Sequence, residues 1–87
     1  MKAVVTIIGN DTVGILAKAS TEVANVNANV IEVTQSVLQK YFAMIMLVDI
    51  TEMNVSIEEL KENLSNALPT MSCHVMHEDI FNAMHRI

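Results

Sequence analysis

Seven residues, Gly9-Asn10-Asp11-Thr12-Val13-Gly14-Ile15, offer the most accessible chemistry in this sequence. Before them the β-branched run Ala3-Val4-Val5-Thr6-Ile7-Ile8 predicts a strand. After them apolar residues recur at Leu16, Ala19, Val23 and Val26, which predicts a helix over about 13–27. GNDTVGI is therefore a strand-to-helix turn. A helix start leaves its first N–H groups without intrahelical acceptors and adds the positive end of the macrodipole, a combination suited to a carboxylate or phosphate. The two glycines permit a tight turn and close approach of a ligand. Asp11 or Thr12 is the expected N-cap.

Other reactive residue types are sparse. His74, His77 and His85 are the only imidazoles. On a strand, residues three apart point to opposite faces, so His74 and His77 do not form a metal pair. No Ser-His-Asp or Cys-His set assembles, so no catalytic residue is nominated and an enzyme is not expected. The lone Cys73 shares a strand face with Met71 and Val75 and reads as a buried, inert thiol.

Composition narrows the class further. In 87 residues, 52 % are apolar, seven are Met and three are aromatic, which implies one domain spanning 1–87 with an aliphatic, adaptable core. Ten acidic side chains against five basic ones give a net charge of −5, which argues against direct binding to nucleic-acid phosphates. A single cysteine and an N-terminus that runs straight into a strand point to the cytoplasm. The apolar stretch 42–48 is too short to cross a bilayer as a helix, so no membrane role is expected.

The remaining elements must position that first turn. Asn25 to Asn29 ends the first helix, because Asn tolerates the left-handed conformation. From Asn29 to Gln39, Ile31, Val33 and Val37 alternate with Glu32, Thr34 and Ser36, a half-buried strand whose apolar row includes Gln35. Gln39-Lys40 turns the chain into a third strand, Tyr41 to Thr51, apolar on both faces. In so small a chain, the second apolar face points to another subunit. Val55, Ser56, Glu59 and Leu60 form a capping box and staple that open a helix carrying Leu60, Leu64 and Leu68, closed by Pro69. Met71 to His77 is a fourth strand, and Asp79 caps a last short helix over 80–85.

This β-α-β-β-α-β order predicts a ferredoxin-like α+β sandwich: a four-stranded antiparallel sheet, strands 1 and 3 central, both helices on one face, and a short C-terminal helix. The fold hosts several functions, and the first loop discriminates among them. A metal-transfer domain would want Cys-x-x-Cys there, an acylphosphatase-like enzyme a cation; the loop has neither. An RNA-recognition surface would need aromatics and basic charge that the chain lacks.

With βαββαβ order, GNDTVGI after strand 1, NVIEVTQSVLQKYFAMIMLVDI through the hairpin and EDIFNAMHRI at the end, the whole chain resembles the small stand-alone ACT-domain proteins, similar to the ACT modules of the glycine-cleavage repressor. Gly9, Asp11, Gly14 and Ile15 match the family's G-x-D-x-x-G-I pattern, although many members carry a basic residue and a proline where this chain has Thr12 and Val13. The resemblance implies a regulatory homo-oligomer, a dimer at least, that binds a small molecule, often an amino acid, between subunits, and that can act on a protein partner. It nominates Asn10, Asp11, Val13, Gly14 and Ile15 from one subunit and Asn29, Val30 and Ile31 from its neighbour. No cofactor or metal is implied. The alternative is a ligand-free oligomerisation module that recruits a protein through its sheet or helices.

Overall fold

The computed structural model describes residues 1–10 and 12–84. The elements run β1 (Lys2–Asn10), α1 (Ile15–Asn25), β2 (Asn29–Leu38), β3 (Tyr41–Asp49), α2 (Ile57–Ala67), β4 (Met71–His77) and α3 (Glu78–Met84). The sheet order is β2-β3-β1-β4 and every neighbouring pair is antiparallel, the ferredoxin-like arrangement expected from the element order. β1 and β3 alternate along their length. Ala3, Val5 and Ile7 of β1 and Phe42, Met44, Met46 and Val48 of β3 are buried in one cluster with Ile15, Ala19 and Val23 of α1 and Leu60 and Leu64 of α2. Burial of each such large side chain stabilises by about 1.5–3 kcal/mol relative to exposure. Among the described residues no charged or polar side chain is buried, so the core needs no internal hydrogen-bond network.

The helix ends follow local chemistry. Ser56, extended at φ −75°, accepts a hydrogen bond on its Oγ from the Glu59 amide at 3.1 Å, and Glu58 and Glu59 sit in the first turn where the macrodipole favours them. α1 is closed two residues past its end by Asn27, whose φ of 63° is left-handed. Its amide donates to Ala24 O at 3.0 Å, and the Ala28 amide donates to Val23 O at 3.1 Å. Those two bonds are the paired closure of a Schellman motif.

The start of α1 lies later than periodicity predicts. The helix begins at Ile15 rather than Val13, because Gly14 takes φ 83° and ψ 16°, left-handed values that cannot continue into a right-handed helix. Gly14, not Thr12, is the N-cap; Asp11, the other candidate, lies outside the described residues. At the other end of the chain, β4 passes directly into α3, so Asp79 falls inside the first turn rather than before it. His85, expected to finish that helix, also lies outside the described residues.

β2 departs from a plain alternation. Its register with β3 shifts between Val30 and Glu32, leaving Ile31 as an extra residue. Val30 thereby joins Val33 against the core, while Ile31 is exposed. Gln35 stays in the row with Val33, yet it is exposed, so its amide makes no buried demand. The Gln39-Lys40 turn closes the hairpin with Gln39 at φ 57°, the positive φ that two-residue hairpins require.

Candidate functional site

The first turn is held from both sides. β1 delivers Asn10 to the end of the sheet beside Tyr41 of β3. Ile15 is buried at the start of α1 and pins the helix to the core, so it positions the loop through its packing and leaves no side chain at the surface of the turn. Between them Val13 is 96 % exposed and Gly14 is exposed. Gly14 has no side chain with which to cap the amides that follow it, and the Lys18 amide is the one that returns to Gly14 O, at 3.0 Å. The amides ahead of Lys18 thus project from an exposed helix start, geometry that suits a carboxylate.

Beside this turn, on the sheet face away from α1 and α2, Ile8, Ser36, Leu38, Tyr41 and Ala43 line a shallow groove of about 270 Å³. The groove and the loop share the end of the sheet where β1 and β2 finish and β3 begins.

Asn29, Val30 and Ile31 are elsewhere. Asn29 pairs with Asp49, at the far end of β3 from Tyr41, so within one chain about eight strand residues, roughly 26 Å, separate the two nominated groups. The fold brings Asn10, Val13, Gly14 and Ile15 together and sets Asn29, Val30 and Ile31 apart from them. A cavity of about 350 Å³ opens at Asn29, lined also by Asn27, Ala28, Asp49 and Glu52. Asn27 Nδ2 donates to Glu52 O at 3.0 Å, tying the α1–β2 turn to the segment after β3. Sequence reasoning did not nominate Asp49 or Glu52. Counting from the Gln39-Lys40 turn would set Asn29 beside Ile50, and the one-residue bulge at Ile31 moves it to Asp49.

Asp49 is held as an anion. Thr51 donates to its Oδ1 through Oγ1 at 2.7 Å and through the amide at 2.9 Å, and these bonds, ahead of the N-terminal ammonium and Lys2, lower its carboxyl below the ordinary value. The Met1 ammonium donates in turn to Thr51 Oγ1 at 2.8 Å.

His74 and His77 lie on opposite faces of β4, and Cys73 precedes both in the strand. His74 pairs with Thr6 on the sheet face away from α1 and α2, where Ser72 Oγ lies 3.3 Å from its Nε2, while His77 pairs with Ala3 and faces the other way. Among the described residues no three His, Cys, Asp or Glu side chains converge as a metal would require. Cys73 is buried, and desolvation pushes its thiol up from the ordinary value. No helix among the described residues is long and apolar enough to cross a membrane.

Comparison with known proteins agrees with this architecture. The family model described as ACT domain matches residues 2–78. A UPF0237 protein of Methanopyrus kandleri is 46 % identical over 88 residues, covering 99 % of this chain and 98 % of that one. Among solved structures, an ACT domain protein from Streptococcus pneumoniae superposes with a TM-score of 0.77 at 28 % identity, covering 98 % of each chain. The regulatory subunit of aspartate kinase from Thermus thermophilus, ligand free, shares the fold with a TM-score of 0.65 at 22 % identity, covering 86 % of this chain and 50 % of that one.

Proposed function

The chain belongs to the ACT-domain family, and from that premise we propose that it is a small cytoplasmic regulatory module that binds an amino acid between two subunits. The observation that carries the proposal is the separation of the two nominated groups. Asn10, Val13, Gly14 and Ile15 sit at one end of the sheet and Asn29, Val30 and Ile31 at the other, so a site that uses both must draw on two chains.

β2 supplies the means. It is an edge strand, paired with β3 alone, and its other side offers a row of backbone donors and acceptors. Antiparallel pairing of β2 with the partner's β2 about a two-fold axis runs the partner's strand in the opposite direction. That sets the partner's Asn29–Ile31 segment at the end where β2 finishes at Leu38, which is the end that carries the first loop. In this reading the helix start takes the carboxylate. Asn29, with the anionic Asp49 beside it, meets the ammonium group. Occupancy then tightens the pair, and a protein partner reads the difference.

A thermal-shift screen against the proteinogenic amino acids tests it. A ligand that binds the folded form alone at about a hundred times its Kd stabilises by about 2.7 kcal/mol, a shift of many degrees in a chain of this size. One amino acid should raise Tm progressively with concentration. If none does at millimolar levels, the ligand site falls and the ligand-free oligomerisation module takes its place.

A further inference from the structure

Asp49 has two cations close by and pairs with neither. Lys2 stands directly opposite it in the β1–β3 ladder, near enough for side chains to meet, yet among the described residues no ion pair joins them. The Met1 ammonium bonds Thr51 Oγ1 at 2.8 Å rather than the carboxylate. Thr51 is the cause. Its hydroxyl and its amide both donate to Oδ1, at 2.7 and 2.9 Å, and hold the side chain where it lines the Asn29 cavity. Among the described residues no donor reaches Oδ2. That oxygen is left for something outside the chain.

The cavity around it is built to the same end. Its lining is Asn27, Ala28, Asn29, Asp49 and Glu52, without a Lys, Arg or His, and Asn27 already commits an amide hydrogen to Glu52 O at 3.0 Å. Acceptors therefore outnumber donors there, and two carboxylates lie among them. An ammonium brings three donors and a positive charge to such a place, whereas a keto oxygen brings lone pairs to lone pairs.

We propose that Thr51 makes the two-subunit site selective for an α-amino acid over the 2-oxo acid of the same side chain, by holding Asp49 apart from Lys2 and open to the ligand's ammonium. The inference rests on the two-subunit reading of the site. Both molecules present one carboxylate to the helix start and one side chain to its surroundings, so the amino group alone separates them. Thr51 touches no ligand in this arrangement; it is a positioning residue that acts through Asp49. Its hydroxyl bond, ahead of its amide bond, also lowers the Asp49 carboxyl below the ordinary value, so the group that meets the ammonium stays charged.

Thermal shift on the full chain tests the proposal, with each proteinogenic amino acid set against its 2-oxo acid, alanine against pyruvate and glutamate against 2-oxoglutarate among the pairs. The amino acid that raises Tm should do so at a concentration about tenfold to a hundredfold below that of its 2-oxo acid. Thr51→Val should narrow that ratio about two- to tenfold, and Thr51→Ser, which keeps the hydroxyl, should hold it at the wild-type value. Asp49→Asn still accepts from Thr51 and should abolish the ratio; it reads the same preference should Thr51→Val fail to fold. A 2-oxo acid as effective as its amino acid overturns the selectivity and leaves the site standing. A ratio that Thr51→Val does not change, or that Thr51→Ser loses equally, overturns the role of Thr51. If neither member of any pair raises Tm, the two-subunit reading falls and this inference falls with it.

Discussion

Gly14 and Gly9 are glycines for unrelated reasons. Gly14 is left-handed with open space around it, since a Cβ built there meets nothing within 4 Å. Gly14→Ala should therefore cost the left-handed penalty alone, about 1–2 kcal/mol, while Gly14→Asn should cost less because Asn tolerates that conformation. Urea midpoints of the two variants check the order, and equal losses would mean the cost is not conformational. Gly9 lies inside β1, where a Cβ would stand 2.7 Å from Met71 Sδ and 3.2 Å from Thr70 O. Overpacking of this kind costs about 1–3 kcal/mol, so Gly9→Ala should destabilise and Met71→Ala should recover part of the loss in a double-mutant cycle. From the sequence both glycines read as parts of one turn, because composition reveals where a Cβ is absent and not what stands beside it. Asp49 adds a pH dependence. Its folded carboxyl lies below its unfolded value, so its contribution is present above the unfolded pKa and is lost as pH falls through the folded one. Thr51→Val removes the hydroxyl that donates to Asp49 and accepts from the Met1 ammonium, and the variant's urea midpoint should fall less steeply than wild type's as pH falls below about 5.

At the level of elements, α2 was legible residue by residue because its start is written in side chains. Ser56 caps through Oγ, and Ser56→Ala should cost about 1 kcal/mol in chemical denaturation, with the helix otherwise intact. The start of α1 was misplaced by two residues because its signal is a backbone conformation at Gly14, which no periodicity carries. The ends of β4 were readable from Met71 to His77, as were the hairpin turn and the strand order, since alternation and short connections leave few topologies. The bulge in β2 was not readable. Ile31 fits the apolar row from Ile31 to Val37 in a straight strand, and only the pairing with β3 reveals that it is the extra residue.

For the whole molecule, self-association should respond to salt in a defined direction. Copies with a net −5 repel, and β2 carries Glu32 as its one charged side chain, so screening should strengthen assembly through that edge. Sedimentation in low and in high sodium chloride should show the larger species gaining at high salt; the opposite trend would mean that ion pairs hold the interface. The first loop of the site was legible in the sequence because it is contiguous, whereas the cavity at Asn27, Asn29, Asp49 and Glu52 depends on register and was not. Register matters again between chains. A uniform edge strand can slide along its copy two residues at a time, keeping every side chain on its proper face, and each step moves the opposing end by about 7 Å. The bulge at Ile31 breaks that translational sameness, because its local twist cannot be matched at any other position along the strand. In the proposed pair it would act as a notch in a ruler: pairing along β2 would settle where the two notches are related by symmetry, and the distance between the first loop of one chain and Asn29 of the next would become a fixed gauge for the length of molecule held between them.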